Sequence, residues 1–98
     1  MIFELLAEGK ENARTARELA RVCNKTPREI TIQVERERRE GRPICAATGS
    51  NPGYYLPEDE KELMEYCDQL KGRAIEIFKT RQALVRVLRR ISEEGGRA

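Results

Sequence analysis

The side chains able to carry covalent or acid–base chemistry are few. Three thiols, Cys23, Cys45 and Cys67, lie far apart with no CxxC spacing, and the chain contains no His. An odd set of cysteines without imidazole closes neither a disulfide framework nor a tetrahedral zinc site within one chain, so reduced core thiols are expected. The commonest general base is missing, and no Ser, Cys or carboxylate pair stands in a catalytic setting. No enzyme activity, cofactor, metal or small-molecule ligand is expected.

What remains is recognition by charge and hydrogen bonding, concentrated between residues 25 and 42. Arg28, Thr31 and Ile32 have the side chains that read base edges in a major groove, since Arg pairs with guanine and an apolar group meets the thymine methyl. Lys25, Thr26, Arg36, Arg39 and Arg42 suit phosphates, as do Ser50 and Asn51 further on. The bland alternative is a solvated charged face neutralised by Glu35 and Glu40. The net charge of +2 is too small to argue for nucleic acid by itself.

These residues need a helix to hold them. Thr15 with Glu18, and Thr26 with Glu29, are capping boxes, the second with Pro27 at the first helical position. They predict one helix over roughly 16–23 and another starting at 27, separated by Asn24 and Lys25. Ile30 to Val34 alternates with period two and would suit a strand, but the second box and the charged run Glu35 to Glu40 favour helix. With Ile30 and Val34 inward, Arg28, Ile32, Glu35, Arg36 and Arg39 point outward. Upstream, Ile2, Phe3, Leu5 and Leu6 predict a short first helix closed by Gly9.

After Gly41 the pattern turns extended. Pro43 to Ala46 and Tyr54 to Leu56 flank a turn-rich loop, which predicts a β-hairpin. Its loop, from Ala47 to Gly53, has no Lys or Arg, so contacts there would come from polar side chains or backbone N–H groups. Two capped helices followed by a hairpin give the pattern of a winged helix-turn-helix. The stretch from Ile2 to Leu56 resembles the N-terminal DNA-binding domain of biotin operon repressor-type transcriptional regulators, on the pieces LLAEG, TARELA, TPREI, REGRPI and GYYL. The resemblance implies the fold and duplex DNA as partner, and leaves the target open. In that family Asn24 would stand where Gly is usual, and Lys25 and Glu37 where apolar residues are usual. Nothing after Leu56 resembles a ligase or effector domain, so no biotin role is carried over.

From Pro57 to about Ser92 only Gly72 could break a helix, which predicts one long rod of ~50 Å. Leu63, Cys67, Leu70, Ala74, Ile77, Arg81, Leu84, Leu88 and Ile91 alternate spacings of four and three, a heptad seam that asks for a partner helix. Between Glu58 and Asp68 there are six acids and one base, whereas between Lys71 and Arg90 there are seven bases and one acid.

The fold expected is mainly α with a small β-hairpin: a winged helix-turn-helix over 1–56, then a self-association helix over 57–98. With 37% charged residues and no run of ~20 apolar ones, a cytoplasmic chain without membrane contact is expected. The leading function is sequence-specific double-stranded DNA binding as a homodimer, for transcriptional regulation or in replication or a mobile element. The rival is a protein–protein interaction module whose long helix docks a larger partner.

Overall fold

A computed structural model describes residues 1–96. The chain is mainly helical, with α1 (Ala16–Cys23), α2 (Pro27–Arg39) and α3 (Glu60–Gly96), and with a hairpin of β1 (Cys45–Ala47) and β2 (Gly53–Tyr55) between α2 and α3. It divides into two compact units, Met1–Tyr66 and a second that begins at Cys67.

Both capping boxes form. The Thr15 hydroxyl accepts the Glu18 N–H while the Glu18 carboxylate accepts the Thr15 N–H, and Thr26 and Glu29 repeat the exchange. Asn24 ends α1 in the left-handed conformation (φ 54°), and the Lys25 N–H donates to the Ala20 carbonyl at 2.9 Å. A short polar residue tolerates that conformation, so Asn does here what Gly would do. Helical spacing then places Leu19, Ala20, Ile30 and Val34 inward, where they bury against Ile2, Leu6 and Ile44. Each large aliphatic side chain so buried contributes about 1.5–3 kcal/mol.

The hairpin pairs Cys45 with Tyr55, Ala46 with Tyr54 and Ala47 with Gly53, antiparallel. Its second strand also pairs with residue 14: the Arg14 N–H donates to the Tyr54 carbonyl at 2.9 Å and the Tyr54 N–H to the Arg14 carbonyl at 2.7 Å. Gly53 lies at φ +135°, and a Cβ there would run into the Arg14 carbonyl. Cys45, Tyr55 and Tyr66 form a second small core, with Leu63 packed against it.

Three expectations are corrected. The first helix is a single 3-10 turn, Phe3–Leu5, and Gly9 (φ +95°) opens another, Lys10–Asn12. The reason is pairing with Leu56, whose N–H donates to the Ala7 carbonyl and whose carbonyl accepts the Gly9 N–H, so residues 7–9 cannot stay helical. The long helix begins at Glu60, not Pro57, and runs past Ser92 to Gly96. Leu56 is held extended by the same pairing and by the proline after it, and Asp59 accepts the Glu62 N–H at 2.8 Å at the new start. Finally, none of the cysteines forms a disulfide, but core burial holds for Cys45 alone among the three: Cys23 is half-buried and Cys67 exposed on α3.

Candidate nucleic-acid interface

The buried and solvent faces of α2 separate cleanly. Ile30, Val34 and Glu37 are buried, and Arg28, Thr31, Ile32, Arg36 and Arg39 lie exposed on the opposite side, with Lys25 and Thr26 exposed just before it. Thr31, Ile32, Glu35, Arg36, Arg39 and Glu40 line a shallow open groove along this face. Ile32, 51% exposed, is an apolar side chain set among charged ones of both signs.

Glu35 is paired with Arg38 at 2.9 Å rather than with the outward arginines. Among the described residues, Arg28, Arg36 and Arg39 form no ion pair. None of the three is therefore held in a direct ion pair with Glu35 or Glu40, which share the groove with Arg36 and Arg39. The Thr31 hydroxyl donates to the Pro27 carbonyl at 3.2 Å and keeps its oxygen for accepting. The Thr26 oxygen accepts the Glu29 N–H at 3.2 Å. The Thr26 N–H and hydroxyl hold the Glu29 carboxyl below its ordinary range, so the acid at this helix start stays ionised.

The other phosphate candidates are more engaged. Arg42 is half-buried with its guanidinium 5.1 Å from the centre of the Phe3 ring. The Asn51 side-chain NH2 donates to the carbonyls of Lys10 and Glu11 at 3.1 and 3.0 Å, tying the hairpin loop to the second 3-10 turn. Ser50 is exposed. Of the seam residues, Leu63 is half-buried against its own hairpin, while Cys67, Leu70, Ala74, Ile77, Arg81, Leu84, Leu88 and Ile91 are exposed.

Two further residues position the candidate interface without having been among the candidate site residues. Arg38 donates from Nε to the Ile44 carbonyl and from Nη2 to the Tyr66 hydroxyl, both at 2.8 Å, and lies over the Tyr54 and Tyr66 rings. It joins α2 to the hairpin and to the first turns of α3. Glu37, fully buried, accepts the N–H groups of Ile2 at 2.9 Å and Phe3 at 2.8 Å and the Gln33 amide at 2.8 Å. Its departure from an apolar residue was the one available hint. Burial works to raise its pKa, but the Phe3, Ile2 and Gln33 donors outweigh burial and hold it below the ordinary carboxylate value.

Among the described residues no cluster of His, Cys, Asp or Glu could hold a metal ion, and no helix is long and apolar enough to cross a membrane. Compared with known proteins, the chain matches no family model, no curated protein and no solved structure.

Proposed function

We propose that this chain is a winged helix-turn-helix protein that binds duplex DNA sequence-selectively through the exposed face of α2, acting as a homodimer joined along α3. The observation that carries the reading is a pair of capped helices, α1 and α2, joined through Asn24, Lys25 and Thr26, whose second helix presents Arg28, Arg36 and Arg39 with no ion pair among the described residues. Pairing of the hairpin with Arg14 supports the same reading, because it ties the segment before α1 to the second strand through a single antiparallel bridge. Arg28, Thr31 and Ile32 lie towards the N-terminal end of α2, the end that meets base edges when such a helix enters a groove. Arg36, Arg39, Lys25 and Thr26 take phosphates, and the role is transcriptional regulation or DNA binding in replication or a mobile element.

Selection from a random duplex library tests this. A recovered motif, with affinity for random duplex that falls as salt rises, is the expected result. No enriched sequence, together with a salt slope near zero, would overturn it.

A second reading is favoured by one observation: Ile77, Leu84, Leu88 and Ile91 are each 60% or more exposed. In that reading α3 docks a different protein and the N-terminal unit is scaffold. Its mark would be a monomer in sedimentation that selects no DNA.

A further inference from the structure

We infer that the second copy lies antiparallel along α3, in one register: Cys67 opposite the partner's Leu84, Leu70 opposite the partner's Arg81, and Ala74 opposite the partner's Ile77. This rests on the proposed self-pairing and adds its direction and register. The exposed seam offers an apolar surface from Cys67 to Ile91, interrupted by one charged side chain, Arg81. That residue decides the geometry. In a parallel pair in register each layer meets its own copy, so two Arg81 guanidinium groups would face each other inside the contact, where no acid of the seam could offset them.

Reversing one helix separates them, by an amount the register sets. Setting Ile77 opposite Arg81 leaves the two arginines only four residues, ~6 Å, apart along the axis, closer than the ~8 Å over which salt screens charge. Setting Leu63 opposite Arg81 carries Leu88 and Ile91 past Glu60, where the partner's α3 begins, and leaves both exposed apolar side chains without a facing helix. The register between these, with Leu70 opposite Arg81, puts the arginines eleven residues, ~16 Å, apart. It also lays residues 60–68, with four acids and one Lys, along residues 83–91 of the partner, with three arginines and no acid. The register chosen to part the arginines thus also matches charge.

The chain's own Cys67 and a Leu84→Cys variant give the test, using the full chain. Under mild oxidation L84C should form a covalent dimer several-fold faster than the unmodified chain forms Cys67–Cys67. Protease digestion and mass spectrometry should map its bond to Cys67 of one copy and the thiol introduced at position 84 of the other. The Kd of the dimer should rise about 3- to 10-fold as salt goes from about 50 to about 500 mM, because opposite charges are being screened. Fast Cys67–Cys67 linkage in the unmodified chain, or tighter pairing at high salt, would overturn the antiparallel arrangement. An Ile91→Cys variant linking faster to Cys67 than L84C does would overturn the register. A parallel dimer that still selects a DNA motif would refute this inference and leave the function standing, whereas an antiparallel dimer that selects none would do the reverse.

Discussion

Glu37 is the residue with the most at stake, being a carboxylate wholly out of water that closes the N-terminal segment onto α2. Substituting Gln keeps the shape but removes the charge that two backbone donors point at. Glu37→Gln is expected to cost about 1–3 kcal/mol in urea denaturation. Because the folded-state pKa lies below the ordinary value of 4.5, the carboxylate's contribution is present above that value and is lost as pH falls through the folded pKa. Denaturation midpoints of the parent should drop across that acid range more steeply than those of E37Q. Tyr55 sets the opposite limit: burial, with the Cys45 thiol beside it, pushes its phenol up to about 12. Its contribution is present below the unfolded value of about 10 and is lost as pH rises towards 12, readable as alkaline unfolding that tracks phenolate absorbance. On the solvent side, Arg28→Ala should lower specific affinity by roughly 1–3 kcal/mol and relax one base position. Arg39→Ala should weaken all sequences alike and lower the salt slope by about one. Binding selections and salt titrations on both variants separate the two roles.

The helices were legible because their starts are written locally. A Thr and a Glu three residues apart satisfy each other's backbone with no help from the rest of the chain, so α1 and α2 begin where Thr15 and Thr26 foretell. Thr26→Ala should accordingly cost about 1 kcal/mol, seen in thermal melts. What failed was whatever depended on distant partners. The stretch from Ile2 to Leu6 has a helical pattern, yet Leu56 captures residues 7 and 9 and leaves one 3-10 turn. Pro57 looks like a first-turn proline, but the same Leu56 pairing keeps the chain out of the helix until Glu60. In the candidate interface the outward face of α2 could be read from helical periodicity. The ties on Asn51 and Arg42, and those of Arg38 to Ile44, Tyr54 and Tyr66, could not, since their partners come from other elements.

At the scale of the whole molecule, the thiols and the seam set two further expectations. With no disulfide present, a reductant should leave the far-ultraviolet circular dichroism and the melting temperature unchanged. Replacing Leu70, Ile77 and Leu84 together by Asp places charges along a surface that is already exposed. It should give folded monomers in sedimentation, and weak binding to a single half-site. Retention of a tight dimer would move the contact elsewhere.

The pairing of Arg14 with Tyr54 bears on how the chain reaches this state. Those residues stand forty positions apart and exchange two backbone hydrogen bonds, with Gly53 giving the room. A hairpin of three-residue strands is marginal alone, so β1 and β2 gain a lasting neighbour only when the segment before α1 has returned across that loop, at an entropic cost met late in the search. α1 and α2 close over short distances and can form early. The amides of Arg14 and Tyr54 should then exchange with solvent only when the whole N-terminal unit opens, at the rate of global unfolding. Crowding the Gly53 site with Ala should slow refolding little and speed unfolding markedly.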